Sequence, residues 1–289
     1  MLPFPGSMPN FLRTLLLLGG VAVPAAMVGW MAGGGAGALL GALLGAGAGV
    51  LVCLVGERVV LRLYGAREVD AQGAPHLLAM VREMAALAGL PAPRVFLLDA
   101  DAANAFTVGR GRARAALVLT SGILRLLDER ELRAVLAHEL AHVLRGDMLP
   151  GTFAAALGGV LAAASQTGLG APLDERARPA PAWQTPLWLL LAPLAALLAQ
   201  LGAAARRELA ADRLAARLCG DPLALAGALQ RLQAHADERH GFAQAGRYPA
   251  GAQMMVCNPL GCAGIQRLFD CHPSMQRRIQ ALHASSRRA

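Results

Sequence analysis

Two histidines and a glutamate, His138, Glu139 and His142, lie within the run HELAH. On a helix, residues four apart project from one face, so both imidazoles can bind one metal ion. The spacing matches the HExxH zinc motif, in which the glutamate acts on a water molecule. The same run also occurs on surface helices, with solvated histidines and a glutamate in a salt bridge. A third ligand is therefore needed to decide between the two interpretations.

A helix is predicted around this motif, from Asp128 to Arg145. Asp128 and Glu131 match the D-x-x-E pattern of a capping box, and Gly146 favours the end of the helix. Apolar residues recur at helical spacing through the segment, namely Leu132, Val135, Leu136, Leu140 and Val143. The motif is therefore expected on an amphipathic helix.

A candidate third ligand, Glu208, comes later in the chain, four residues before Asp212. A catalytic zinc ion commonly takes two histidines and one glutamate, and leaves the fourth position open. Metal-bound histidines usually donate their other ring N–H to a carboxylate, which makes Asp212 the candidate acceptor. A solvated amphipathic helix would show the same two acidic residues. HExxH followed by ExxxD favours a gluzincin-type peptidase site with one zinc ion per chain.

The composition indicates a membrane protein. Of 289 residues, 55% are hydrophobic and 16% charged, whereas soluble domains carry about 25% charged residues. The formal net charge is +8, and all 27 Lys and Arg residues are arginine. With 4% aromatic residues and no soluble basic domain, we expect no nucleic-acid partner. The arginine excess instead indicates membrane-surface charge and a topology signal.

Charge-free stretches predict two transmembrane hairpins. Residues 14–56 are long enough for two spans, with a turn at the three glycines 33–35. Residues 148–173 and 179–205 predict two more, of which the first is Gly/Ala-rich and is open to interpretation as re-entrant. Glycines recur every four residues from 33 to 49 and form a groove for a neighbouring helix, in the same chain or another.

The fold class predicted is an α+β membrane protein, mainly helical, with about four transmembrane or membrane-embedded helices. It includes a zincin (gluzincin-type) catalytic domain with a small β-sheet. Arg58, Arg62 and Arg67 follow the first hairpin and, by the positive-inside rule, put this domain in the cytosol. The chain is expected to alternate between an N-terminal hairpin (1–62), a first catalytic segment (63–147), a second hairpin (148–205) and a second catalytic segment (206–289).

Several elements of the catalytic domain follow from local patterns. Helices are predicted over 74–90, over 221–232 and from near Pro273 onwards. Strands are predicted at 94–98, 104–109 and 115–120, and the last two are expected to pair as a hairpin. Cys257, Cys262 and Cys271 match no standard zinc module, so their role stays open and they are expected to be reduced.

The sequence resembles the HtpX-type membrane zinc metalloproteases, which are related to the CAAX prenyl endopeptidases. The resemblance covers nearly the whole chain. It rests on both hairpins and on the runs Asn104-Ala105-Phe106, HELAH (138–142), GDM (146–148), RELAAD (207–212), NPL (258–260) and Phe269-x-x-His272-Pro273-x-x-x-x-Arg278. The family usually has threonine where this chain has Cys271.

The resemblance implies a multi-pass protease of the bacterial inner membrane that cleaves misfolded or damaged membrane proteins. It implies that the Asn104-Ala105-Phe106 strand pairs with the substrate backbone and that His272 and Arg278 line the site. Partners are then polypeptide substrates and the lipid bilayer, and a homo-oligomer stays open.

The expected reaction is zinc-assisted peptide hydrolysis with Glu139 as general base, and with His272 and Arg278 stabilising an oxyanion. One alternative is an intramembrane zinc protease, but charged residues on both sides of HELAH disfavour it. Another is a non-proteolytic membrane scaffold or assembly factor that retains a zinc site. Glu139 argues against the scaffold, since a structural metal has no use for a general base.

Overall fold

The computed structural model describes residues 10–166, 205–238, 254–256 and 274–287. These residues are mainly helical and contain one small mixed sheet. The helices are α1 (Asn10–Tyr64), α2 (Pro75–Leu87), α3 (Ser121–Leu126), α4 (Glu129–Arg145), α5 (Met148–Gln166), α6 (Ala205–Cys219), α7 (Pro222–Glu238) and α8 (Met275–Ser286). The predictions for the span at 179–205, for His272 and for Cys257, Cys262 and Cys271 fall outside the described residues, apart from the last residue of that span.

Helix α1 is two helical arms joined by a bend at the predicted glycine turn. Gly33 and Gly34 leave helical geometry, and Gly34 has a φ of +59°, which glycine adopts at little cost. Most large apolar side chains of the arms are exposed, as in a helix that faces lipid. By length and composition, the segment Thr14–Tyr64 is apolar enough to cross a membrane. The predicted bend is confirmed.

The glycine row lets the two arms of α1 pack against each other. A Cβ atom at Gly37 would overlap the carbonyl of Gly29, and one at Gly41 would overlap the carbonyl of Ala25. Such close backbone approach requires a residue without a side chain. The glycine row therefore packs against the other arm of the same chain. The sequence had left open whether it packs within the chain or between chains, and the structure shows packing within the chain.

The sheet has four strands in the order β1-β2-β4-β3. They are β1 (Arg67–Glu68), β2 (Arg94–Leu98), β3 (Ala105–Gly109) and β4 (Ala115–Thr120). Strands β3 and β4 pair antiparallel, which confirms the predicted hairpin. Strand β2 runs parallel to β4, and β1 pairs antiparallel with β2. Strand β3 is therefore at one edge of the sheet.

Helices cover both faces of the sheet. Leu117 and Leu119 pack on the side of α2 and α4, while Phe106 and Val118 face the end of α1 and α5. On that second side the rings of Tyr64 and Phe106 lie 5.5 Å apart between centroids. Burial on both faces explains why β3 and β4 are apolar almost throughout. The same packing fixes the sheet against the helices predicted to lie in the membrane.

Helix α4 begins and ends as predicted. The Asp128 carboxylate accepts from the Glu131 N–H, and the Glu131 carboxylate accepts from the Asp128 N–H. Gly146, with a φ of +69°, ends the helix. Helices α6 and α7 pack against α4, and α8 packs against both of them. This arrangement brings α6, which carries Glu208, beside the HELAH face of α4.

Candidate active site

Three side chains, His138, His142 and Glu208, bring potential metal-ligand atoms together. The two Nε2 atoms of the histidines lie 3.2 Å apart. The carboxylate oxygens of Glu208 lie 3.5 Å from each of these nitrogens. Around a tetrahedral zinc ion with bonds of about 2.0–2.1 Å, ligand atoms are separated by about 3.3 Å. The donor types and their spacing therefore fit zinc.

Asp212 fixes the orientation of His138 from behind. Its Oδ1 lies 2.9 Å from Nδ1 of His138, and the network assigns the ring proton to that nitrogen. Arg278 donates to both carboxylate oxygens of Asp212, at 2.7 and 2.8 Å, and to the carbonyl of Val256 at 3.0 Å. All three charged or titratable side chains are buried. This network leaves Nε2 of His138 turned towards Glu208 and available to a metal ion.

Neighbouring charges shift the pKa values of His138 and Asp212 in opposite directions. Burial disfavours the charged form of His138, but hydrogen bonds to Asp212 and Glu208 outweigh it and raise the pKa of His138 to about 9. Burial also opposes ionisation of Asp212, and Arg278 overcomes it, so the pKa of that carboxyl is about 2. A metal ion at Nε2 competes with the proton that the raised pKa retains, so metal affinity decreases in acid.

Asp147 stands close to the second histidine ligand. Its Oδ2 lies 3.8 Å from Nδ1 of His142 and accepts from Nε of Arg145 at 2.8 Å. Burial raises the pKa of Asp147, but His142 and Arg145 outweigh that effect and hold the pKa well below its usual range. The resemblance to the family included Asp147 without giving it a role. The only hint of a role in the sequence was its position, directly after Gly146, which ends α4.

Glu139 lies beside the ligands, buried, with Thr107 against it. The Thr107 hydroxyl donates to Oε2 of Glu139 at 2.5 Å. Burial is the main cause that raises the pKa of Glu139, which makes its carboxylate a stronger base. Sequence reasoning missed Thr107, because no local spacing connects strand β3 to the HELAH helix. Only the packing of β3 on α4 brings the two side chains together.

A cleft opens onto Glu139 and onto two of the three candidate ligands, His142 and Glu208. It is lined by Thr107, Glu139, His142, Asp147, Met148, Gly151, Arg207, Glu208 and Met254. Its volume of about 40 Å³ has room for a few water molecules. Glu139, His142 and Glu208 are thus reached from one side, while Asp212 contacts His138 from the other.

Arg278 lies beside the ligand atoms, with Nη2 at 3.3 Å from Nε2 of His138. The sequence predicted that it lines the site and stabilises an oxyanion. Its guanidinium is 1% exposed, and its bonds to Asp212 and Val256 give it a positioning role. A buried guanidinium needs a paired carboxylate, and Asp212 supplies it. Direct contact with a reacting carbonyl stays a prediction.

The predicted substrate strand, Asn104-Ala105-Phe106, is engaged within the chain. The N–H and carbonyl of Asn104 both bond to Thr120 of β4, so they face away from the free edge. The carbonyl of Ala105 accepts from the Val256 N–H at 3.0 Å, and Phe106 forms a β-bridge with Met255. Alternate residues of a strand point to opposite neighbours, so the backbone groups of Asn104 are directed towards β4 here. That the strand pairs with substrate stays a prediction.

Comparison with known proteins identifies the family. Residues 71–286 match the sequence profile described as "Peptidase family M48". The chain belongs to peptidase family M48. The "Protease HtpX homolog" of Burkholderia mallei (strain SAVP1) is 40% identical over 274 residues, which are 94% of this chain and 96% of that protein. The protein of the same name from Burkholderia thailandensis is 40% identical over 279 residues, 96% and 98% of the two chains.

The M48 fold is also seen in the crystal structure of S. mikatae Ste24p. That structure superposes with a TM-score of 0.52 at 16% identity, and covers 94% of this chain. The matched region is 64% of the Ste24p chain, and at this identity the likeness concerns the fold. Family membership confirms the resemblance to HtpX-type proteases.

Proposed function

We propose that the chain is a membrane-bound zinc metalloendopeptidase that hydrolyses peptide bonds of misfolded or damaged membrane proteins. The observation that carries the proposal is the position of Glu139 in a cleft beside the ligand atoms of His138, His142 and Glu208. A structural metal site would close all four positions with protein ligands, whereas this one leaves one side open to solvent and to a base. This openness disfavours the scaffold alternative.

The residues divide the chemistry between them. His138, His142 and Glu208 would hold the zinc ion, whose Lewis acidity would make a water more acidic and polarise the peptide carbonyl. Glu139 accepts the proton of the attacking water and passes it to the leaving amine. Thr107 donates to Oε2 of Glu139, and both residues line the cleft. Asp212 holds the ring of His138 and preserves the geometry of the ligands.

The substrate is proposed to bind in extended form at the edge of β3. Backbone pairing reads no particular side chain, which suits unfolded polypeptides of varied sequence. Within the described residues, the 254–256 segment already occupies the edge at Ala105 and Phe106. A peptide therefore displaces this segment or pairs further along, at Thr107, which also faces the cleft.

The proposed location is the bacterial inner membrane, with several spans and the catalytic domain in the cytosol. The support is the apolar, exposed hairpin of α1 and the arginines that follow it. Helix α5 begins at Met148 directly after the active site and packs against α1, which continues the same layer. The second hairpin, 148–205, is proposed to complete about four membrane helices.

The experiment that tests this function is metal removal from the full chain purified in a mild detergent. We expect one zinc ion per chain by elemental analysis and cleavage of an unfolded, fluorescently labelled polypeptide. Chelation should abolish cleavage, and stoichiometric zinc should restore it. A zinc-loaded, folded protein that cleaves no unfolded polypeptide would contradict the proposal and favour the alternative of a non-proteolytic scaffold.

A further inference from the structure

We propose that an arginine-lined cavity at the end of α1 binds the headgroup of an anionic phospholipid. The cavity has a volume of about 310 Å³ and lies apart from the peptidase cleft, with which it shares no lining residue. Its lining includes one acidic residue, Glu57, and five arginines, namely Arg58, Arg94, Arg110, Arg112 and Arg114. We refer to it below as the arginine cavity.

Folding, rather than sequence proximity, assembles the arginine cavity. Arg58 belongs to the end of α1, Arg94 begins β2, and the other three lie in the loop between β3 and β4. A topology signal requires only that arginines follow a span in the sequence. Convergence of three separate segments on one concave surface goes beyond that requirement and indicates a site for an anion.

The charges of the cavity are only partly compensated by the protein. Arg94 pairs with Glu57 and Glu68, and Arg112 donates to a backbone carbonyl at the end of α4. Arg58, Arg110 and Arg114 form no ion pair with any residue in the described ranges. Like charges held together repel, so an anion bound among them is stabilised. A phosphate suits guanidinium groups because it accepts paired hydrogen bonds.

The position of the cavity indicates what kind of phosphate it takes. Its wall also includes Leu54, a side chain of α1 that is 54% exposed. Arg58 follows one helical turn later, about 6 Å further along the axis. The cavity thus spans the change from apolar to basic surface, which in a membrane is the level of the headgroups. A phospholipid offers both an acyl chain and a phosphate, whereas a free anion or a nucleic acid lacks the apolar part.

This inference goes beyond peptidase activity and rests on the proposed embedding of α1 in the membrane. The test uses the full chain in a neutral detergent and measures the affinity for three probes from shifts in thermal unfolding. The probes are dioctanoyl phosphatidylglycerol, dioctanoyl phosphatidylcholine and inorganic phosphate. We expect saturable stabilisation by phosphatidylglycerol alone. Equal stabilisation by phosphatidylcholine, or by phosphate, would overturn the assignment to an anionic lipid.

Two matched pairs of substitutions locate the binding. Arg110→Gln with Arg114→Gln leaves Arg58 in place and should weaken phosphatidylglycerol binding roughly 30-fold, at about fivefold per arginine. Arg82→Gln with Arg277→Gln makes the same charge change on α2 and α8, outside the cavity, and should leave affinity unchanged. Equal loss in both pairs would show a response to net charge and overturn the site.

The lipid result and the peptidase result stay separable. Glu139→Gln removes the proposed base, which does not line the arginine cavity, and should bind phosphatidylglycerol as the wild type does. A Glu139→Gln protein that loses the lipid response would contradict an independent site. Failure of lipid binding in an otherwise active protease would overturn the lipid inference alone.

Discussion

At the scale of single residues, Asp212 connects a metal ligand to a buried cation. It holds Nδ1 of His138 on one side and the guanidinium of Arg278 on the other. Asp212→Asn keeps the shape but removes the charge. We expect zinc affinity to fall by about 10–100-fold, as for other carboxylates behind a metal-bound histidine. A chelator-competition titration measures this change.

The same substitution should also lower the stability of the protein. Without the Asp212 carboxylate, the buried Arg278 keeps only Glu208, 3.7 Å away, as an anionic neighbour, and the free energy of unfolding should fall by less than the about 3–5 kcal/mol of a buried charge that has lost its partner. Asp237→Asn, on the exposed face of α7, is the matched control and should change neither quantity. Wild-type zinc affinity in the Asp212 variant would refute the orienting role.

The Thr107 hydroxyl is expected to matter for turnover and not for binding. Thr107→Val keeps the shape and removes the bond to Glu139, whereas Thr107→Ser keeps the bond. A hydrogen bond to a charged group contributes about 1.5–3 kcal/mol, so kcat should fall about tenfold or more in the valine variant. KM and zinc content should stay unchanged, and serine should restore kcat. Equal kcat in the valine and wild-type proteins would show that the hydroxyl does not position the base.

The raised pKa of His138 predicts how the metal-free protein responds to pH. The pKa rises from 6.5 to about 9 on folding, so this contribution to stability is fully present below pH 6.5. It is lost as pH rises from 6.5 through about 9, by an amount on the order of 3 kcal/mol. Urea unfolding with a chelator present measures the trend. The His138→Asn substitution should remove most of this pH dependence. His76→Gln, which replaces an exposed histidine, is the control and should leave it unchanged. A pH dependence that survives in the His138→Asn protein would show that His138 is not its source.

At the scale of elements, the features that local chemistry determines were predictable. The capping box and Gly146 predicted the ends of α4, and short apolar runs predicted β2 and β4. Helix α2 ends at Leu87, sooner than predicted, where Gly89 turns with a φ of +64°. The parallel pairing of β2 with β4 and the bridge from Met255 to β3 join residues far apart in sequence. No local pattern encodes such pairings, and Thr107 was missed for the same reason.

The packing of the two arms of α1 can be tested with a matched pair of glycines. Gly37→Ala places a methyl group against the carbonyl of Gly29, whereas a Cβ at Gly47 meets open space. We expect Gly37→Ala to lower the unfolding temperature in detergent by several degrees. Gly47→Ala should leave it unchanged or raise it slightly, because alanine favours a helix. Equal behaviour of the two variants would show that the arms do not pack closely.

At the scale of the whole molecule, the candidate metal site joins two distant regions of the chain. His138 and His142 come from α4, and Glu208 comes from α6, beyond the segment predicted to form the second hairpin. The sequence predicted this ligand set because each pair of residues has a helical spacing of its own. What the sequence could not supply is the distance between the pairs, which the packing of α6 on α4 determines.

The most direct test of the account compares Glu139→Gln with Glu208→Ala in the full chain, by zinc content and cleavage of an unfolded polypeptide. The Glu139→Gln protein should keep one zinc ion, because it retains the ligands. Its cleavage rate should fall by about 100-fold or more, because it lacks the base. Glu208→Ala should lose both zinc and cleavage. Cleavage at the wild-type rate by the zinc-loaded Glu139→Gln protein would contradict the assignment of Glu139 as the base, and with it the proposed mechanism.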